Sequence, residues 1–348
     1  MLTSIRIKDF KSLHDEELIL KPLTILTGTN SSGKSSVIQA IMLMIKFSNS
    51  VNRYSMEEVT RYLNDFSTIR NKKNNAKVIS LSVVNDDVFS QVEMTSDLIV
   101  QKGALNYTYE PIDDFIGPEL LYLNANRMGA QEQIPLSERR VGTSGEFLFS
   151  TFDKIKSLPV ADCLVKFENS KTISYQLAEW LSFITGTSSE LVTENSGDKV
   201  KVSYKIKDLD FSVSPFNLGA GMSYISKVLI TCLMAKKGDL ILLENPEIQL
   251  HPKAQALLGV FLTHIAKNGI QLVIETHCEH LINKIAYQIY DEQFSGSDLI
   301  IHYKPSVNDG FVSLRVDEAG QYNDHYTNTV GFPKGFFDAT LDDLRSMQ

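Results

Sequence analysis

Residues 23–47 read LTILTGTNSSGKSSVIQAIMLMIKF: an apolar run, a glycine-rich turn, then a stretch whose apolar residues recur at helical spacing. Within it GTNSSGKSS, residues 28–36, satisfies G-x-x-x-x-G-K-[ST] at every defined position. The order has a physical meaning. Gly28 and Gly33 let the backbone wrap phosphate groups, Lys34 reaches their outer oxygens, and Ser35 offers a hydroxyl to magnesium. Asn30, Ser31 and Ser36 complete the loop and join the nucleotide-binding candidates. A strand before and a helix after make the motif informative, because phosphates then sit on a helix N-terminus, where the dipole favours negative charge.

Composition narrows what surrounds this loop. With 348 residues and 43% hydrophobic content the chain can build a large core, as one composite domain or two lobes. Apolar runs such as VLITCLMA (228–235) fall well short of the ~18 residues a membrane span needs, and no charged-then-apolar leader opens the chain. The expectation is a soluble, cytoplasmic protein. Cys163, Cys232 and Cys278 are odd in number and far apart, which fits reduced thiols rather than a disulfide framework. A net charge of −8 weighs against a surface coated in positive potential for nucleic acid. The basic stretch RNKKNNAK (70–77) reads as a solvated turn.

Ahead of the loop, IRIKDF and EELILK read as two further strands. Residues 76–124 are strand-rich, with VISLSVV, QVEMT, DLIVQ, LNYTY and ELLYLN separated by turn residues, and predict antiparallel sheet. The pattern turns helical through GEFLFSTFDKIKSL and ISYQLAEWLSFITG, and KVKVSYKIKDLDFSV (199–213) predicts a hairpin.

Three chemistry-bearing stretches follow residue 214: PFNLGAGMSYISKV, LILLENPEIQLHP and LVIETHCEHL. In this order, behind a phosphate loop, they resemble the ABC-type ATPase group that includes the SMC, RecF and OLD (overcoming-lysogenization-defect) proteins. The likeness is to compact ATPases of the OLD and RecF kind, whose Walker B segment resembles E-[EN]-P-E-x-H-L-H-P and whose switch segment resembles E-T-H-S. It spans IRIKDFKSL to GFPKGFFD. The implied fold is α/β, a P-loop NTPase with ABC/SMC-type head architecture: a mixed central sheet, an antiparallel β subdomain and a helical lobe. One composite domain over 1–348 is expected, with phosphate loop and β subdomain in 1–124, helical lobe and hairpin in 125–214, and the remaining sites in 215–348.

The resemblance assigns roles residue by residue. LGAGMS (218–223) falls at the signature loop, which caps the γ-phosphate held by another subunit. Gly219 stands in the usual serine place, leaving Ser223 or the backbone around Gly221 as donors. Met222, Ile225, Val228, Leu229 and Cys232 behind it have helical spacing and read as core. Glu244 ends the strand LILL and, with Ser35, is placed to hold magnesium. The next position commonly carries the carboxylate that polarises water; Asn245 can orient water but cannot take its proton. Glu247 is the nearest substitute, and two placements are open to it: toward the γ-phosphate, or paired across a subunit interface. His251 is either an intersubunit contact or a surface histidine. His277 is the implied switch histidine that senses the γ-phosphate. A zinc site from His277, Cys278 and His280 lacks the second cluster that would complete four ligands. The group's glutamine loop has no match, since Gln39 lies too close to Lys34.

ATP and Mg2+ are the implied ligands, and a homodimer or higher homo-oligomer closed over ATP is the implied assembly. About seventy residues follow His277, too few for a nuclease domain of usual size, and no sustained heptad pattern supports a long coiled coil. The expectation is a slow ATPase switch controlling a separate effector, a nuclease or toxin, in bacterial anti-phage defence. The alternatives are a RecF-like DNA-binding ATPase using Arg70, Lys72, Lys73, Arg139 and Arg140, and a nucleotide-bound scaffold without turnover.

Overall fold

The computed structural model describes residues 1–48, 55–86, 88–111, 117–207, 211–326 and 331–332. Its strands in the first half are β1 (Leu2–Phe10), β2 (Leu13–Ile19), β3 (Leu23–Gly28), β4 (Ile79–Asn85), β5 (Val88–Met94), β6 (Ile99–Lys102), β7 (Thr108–Tyr109), β8 (Glu119–Leu123) and β9 (Gln133–Pro135). Those in the second half are β10 (Ser189–Ser196), β11 (Lys199–Ile206), β12 (Ser212–Val213), β13 (Leu240–Glu244), β14 (Gln271–Glu275), β15 (Leu299–Lys304), β16 (Val312–Val316) and β17 (Tyr322–Asp324). The helices are α1 (Lys34–Ser48), the single turns α2 (Glu57–Thr60) and α3 (Phe66–Ile69), then α4 (Leu148–Ile155), α5 (Ile173–Thr185), α6 (Ala220–Leu233), α7 (Pro252–Lys267) and α8 (Glu279–Tyr290). Among the described residues, no helix is long and apolar enough to cross a membrane.

The central sheet runs β17-β16-β15-β3-β14-β13-β8-β7, parallel from β15 through β7 and antiparallel at its β16–β17 edge. Parallel strands buried on both faces carry continuous apolar runs, and LILL, LVI and LLYL do so. Alternation splits their side chains. Ile25, Ile241, Leu243, Leu272 and Ile274 pack into a core with α5, α6 and α7, while Leu26, Leu240, Leu242 and Val273 face α1 and the antiparallel sheet β2-β1-β4-β5-β6. The helical-side core is centred on Trp180, whose ring meets Phe167, Phe183 and Phe261 edge-on at 5.0–5.7 Å between centroids.

Two strand expectations are corrected. ELLYLN and LNYTY are not antiparallel: β8 pairs parallel with β13, and β7 parallel with β8. Burial of all five β8 residues required cover on both faces, which only the central sheet provides. The hairpin of the helical lobe is earlier than its sequence signal, β10 against β11 around SGDK, while β12 adds only Ser212 and Val213. The helical ending TLDDLRSM lies outside the described residues.

Candidate nucleotide site

Strand β3 delivers the loop and α1 receives it. Gly28 has φ +133° and a Cβ there would lie 2.1 Å from the Lys304 carbonyl oxygen; Gly33, at φ +112°, would strike Ser12 Oγ at 2.6 Å. Both positions therefore demand glycine, for backbone conformation and for close approach. Lys34 is 3% exposed and its Nζ donates to Thr29 O at 2.6 Å, folding the side chain back over its own loop. Burial pushes its pKa below the usual lysine value, opposed by the charge of Glu275. Asn30 and Ser31 form the exposed lip, and Ser36 is buried at the base of α1.

Glu244 and Glu275 are register partners at the ends of β13 and β14. Following Leu242 and Val273 at a spacing of two, both carboxylates turn to the α1 side, where the loop lies. Glu244 accepts from Tyr122 Oη at 2.9 Å and from the Ala125 amide at 3.2 Å. Arg127, 3% exposed, donates to the carbonyls of Glu244 (2.8 Å) and Asn245, and its guanidinium lies 5.8 Å from the Tyr224 ring on α6. Burial lowers that guanidinium to about 10, still charged at neutral pH. Through Tyr122, Glu244 also connects with Tyr62 and Gln39, which accepts from Lys11 Nζ at 2.6 Å.

Asn245 has φ +44°, the left-handed region that asparagine tolerates better than glutamate, and its amide donates to Glu275 O at 2.7 Å. Its side-chain oxygen is buried and lacks a partner among the described residues. Glu247 is 7% exposed and turns inward: Oε1 accepts from Thr276 Oγ1 at 2.7 Å and from the His277 amide at 3.4 Å, while Oε2 is buried and unpartnered. Burial raises its pKa against the pull of those hydrogen bonds. His277 stands at the exposed rim, where partial desolvation and the nearby Lys34 charge lower its pKa, with the Gly28 backbone opposing. Asn245, Glu247, Gln255, His277, Cys278 and His280 line a cavity of about 610 Å3.

The three signature candidates lie in different settings. Gly219 caps α6 at an exposed site with open space around it. Gly221 is required by packing within the chain, since a Cβ there would lie 2.5 Å from Gln249 O. Ser223 is 1% exposed and points inward beside Tyr204, because helical spacing puts it on one stripe with buried Ser226 and Lys227. Its hydroxyl is therefore not a surface donor. His251 caps α7, its Nδ1 accepting from Lys253 N at 3.4 Å.

Three of the basic residues named for a DNA groove have partners within the chain. Arg139 is tied to Glu58 and Glu110, Arg140 to Glu119, and Arg70 to Asn75 and the Ala76 carbonyl, leaving Lys72 and Lys73 on the exposed turn. Among the described residues no group of three or more His, Cys, Asp or Glu side chains is placed to hold a metal. Magnesium fits instead: it prefers hard oxygens and shares its shell with water and phosphate, and Ser35 beside a buried carboxylate with a spare oxygen supplies that chemistry. Sequence reasoning passed over Tyr122, Arg127 and Glu275. A tyrosine inside an otherwise apolar buried strand, needing a hydroxyl partner, was the available signal for the first.

Comparisons with known proteins bear on the family and the fold. The family described as "AAA ATPase domain" matches residues 1–207, and the family described as "AAA domain, putative AbiEii toxin, Type IV TA system" matches residues 147–283. An OLD nuclease of Thermus scotoductus is 23% identical over 322 residues, 80% of this chain; the chain spans 59% of that relative's length. An Smc head bound to the C-winged helix domain of ScpA superposes with a TM-score of 0.60 at 15% identity, over 91% of this chain and 98% of that one. An Smc head domain with an extended coiled coil, bound to the C-terminal domain of ScpA derived from Pyrococcus furiosus, gives 0.56 at 12% identity, over 91% and 97%. Those two likenesses establish the head fold. On the match over residues 1–207, with the loop, strand ends and fold described above, the chain belongs to the AAA ATPase domain family, as a P-loop ATPase of the ABC-type SMC/RecF/OLD-like group.

Proposed function

We propose that this ATPase is a slow, ATP-gated switch: two copies close over two ATP molecules, and the closed form controls a separate effector. Each site would take its phosphate loop, strand-end acids and His277 from one copy and the exposed start of α6 from the other. The observation that carries the reading is the pair Asn245 and Glu247. The residue after Glu244 cannot accept a proton, while Glu247 sits buried beside it with an unpartnered oxygen. In hydrolysis the water oxygen attacks the γ-phosphorus, the bond to the bridging oxygen breaks, and the water proton passes to Glu247. Burial, by raising the Glu247 pKa, makes its carboxylate a stronger base. Lys34 binds phosphate oxygens and His277 hydrogen-bonds the outermost one. Magnesium, held through Ser35 and a strand-end acid, supplies charge neutralisation at the phosphates when bound. An effector of nuclease or toxin type is supported by the OLD nuclease relative and by the AbiEii toxin description of the second family, and anti-phage defence is the setting proposed for it from the sequence resemblance.

The clock is testable. Wild-type turnover is expected below about 1 s⁻¹, the lower end of ordinary enzymes. Asn245→Glu is expected to raise it about tenfold or more by supplying a second base, at about 1 kcal/mol of backbone strain because glutamate is less at ease at φ +44°. Phosphate release by both proteins decides it: equal rates, or a fast wild type, would contradict the role given to Asn245. ATP retained intact through long incubation would instead identify a scaffold.

A further inference from the structure

We infer that Arg127 is a positioning residue of this site: it clamps the turn that carries Glu247 and ties that turn to the start of α6. The inference rests on Glu247 as the acceptor of the water proton, and it names what holds that carboxylate in place.

The cost of the side chain is the first ground. Arg127 is 3% exposed, and its hydrogen bonds among the described residues go to three main-chain carbonyls, of Asn124 (3.0 Å), Glu244 (2.8 Å) and Asn245. Its Nε is buried without a partner there, and Glu244 and Glu247 bear on it through charge. A buried guanidinium satisfied by carbonyls instead of a bonded carboxylate is an expensive way to gain stability. What it provides is geometry, since its planar fork fixes several acceptors at once, as the point charge of a lysine does not.

What the fork holds is the second ground. The carbonyls of Glu244 and Asn245 bracket the left-handed backbone of Asn245, at φ +44°. The Asn245 carbonyl also accepts from the Ile248 amide at 3.2 Å, closing the turn that sends Glu247 inward to Thr276 and the His277 amide. The turn runs on to Gln249, left-handed at φ +63°, whose carbonyl oxygen lies 2.5 Å from where a Gly221 Cβ would stand. The start of α6 therefore packs directly on the turn. Arg127 meets the same helix through the Tyr224 ring, at 5.8 Å. One helical step further on, buried Lys227 donates to Met128 O and Gln131 Oε1, both at 2.8 Å. Segment 127–131 is thus fastened to α6 at two points and to the turn at a third. A displacement of the exposed end of α6 reaches Glu247 through these contacts. The competing role is a direct one, in which the unpartnered Nε donates to phosphate.

The test is a cycle of Arg127→Lys, Glu247→Gln and the double variant, with mant-ATP affinity and single-turnover phosphate release measured on each. Arg127→Lys keeps the charge and loses the fork, and is expected to slow release about 10- to 100-fold with affinity nearly unchanged. The double variant should be no slower than Glu247→Gln alone, because both changes remove the same step. Tyr224→Ala, which leaves Arg127 in place and removes its contact with α6, should also slow release without loss of affinity; it decides the matter if Arg127→Lys does not fold. A wild-type rate in Arg127→Lys or in Tyr224→Ala, beside a slow Glu247→Gln, overturns the inference alone. So does a multiplicative loss in the double variant, which would put Arg127 on a separate step. Lost mant-ATP affinity with intact release overturns it in favour of the direct phosphate donor. A wild-type rate in Glu247→Gln refutes the proton acceptor itself, and the inference with it.

Discussion

Lys34→Ala is expected to weaken ATP binding at least tenfold and to cut turnover by about 10²- to 10³-fold, while leaving the fold intact. A charge-assisted hydrogen bond is worth roughly 1.5–3 kcal/mol in binding, and losing one preorganised donor at a developing charge costs about 10²–10³ in rate. Two features of the loop make this residue decisive. The Lys34 amine is already desolvated, 3% exposed and bonded to Thr29 O, so it meets phosphate without first shedding a full water shell. The backbone around it is fixed by Gly28 and Gly33, whose missing side chains let Lys304 and Ser12 close in. Because the ammonium costs stability to bury, alanine there should not destabilise the free protein. Calorimetric ATP titration with a thermal melt checks both halves: lost binding with an unchanged melt supports the role, and unchanged affinity refutes it.

Glu247→Gln is expected to lower turnover by about 10²- to 10⁴-fold, the range for removing a general base, with ATP affinity nearly unchanged. The amide keeps the side-chain volume, and its carbonyl oxygen can still accept from Thr276 and His277. What it loses is the ability to take a proton. ATP-bound assemblies should then persist far longer than in wild type. Single-turnover phosphate release separates chemistry from product release; a wild-type rate in Glu247→Gln would show that the proton goes elsewhere.

The legible parts of this protein were those defined by short-range sequence. Gly28 to Ser36 needs a turn, a lysine and a helix start in fixed order, and the structure supplies them in that order. Strand β13 with its terminal acid was legible for the same reason. What escaped depends on which strands become neighbours. ELLYL announces burial but not its partner, so its parallel place beside β13, and with it the contact of Tyr122 with Glu244, was out of reach. Glu275 was visible as an acid at a strand end, but its nearness to the phosphate loop follows from β14 lying between β3 and β13. Arg127 sits in a loop with no local pattern and acquires its contacts only when β8, β13 and α6 meet. Ser223 could have been placed, since its spacing to Ser226, Lys227 and Ile230 puts it on the buried stripe of α6; motif position outweighed periodicity there. The basic residues show the same limit, since the pairing of Arg139 with Glu58 and Glu110 joins segments far apart in the chain.

In the proposed switch ATP, and not ADP, holds two copies together. Sedimentation velocity of the wild-type protein in Mg-ATP and in Mg-ADP measures this directly. A two-chain mass, or twice the nucleotide-free mass, in ATP that reverts in ADP is the predicted result; the same mass in both nucleotides would contradict the switch.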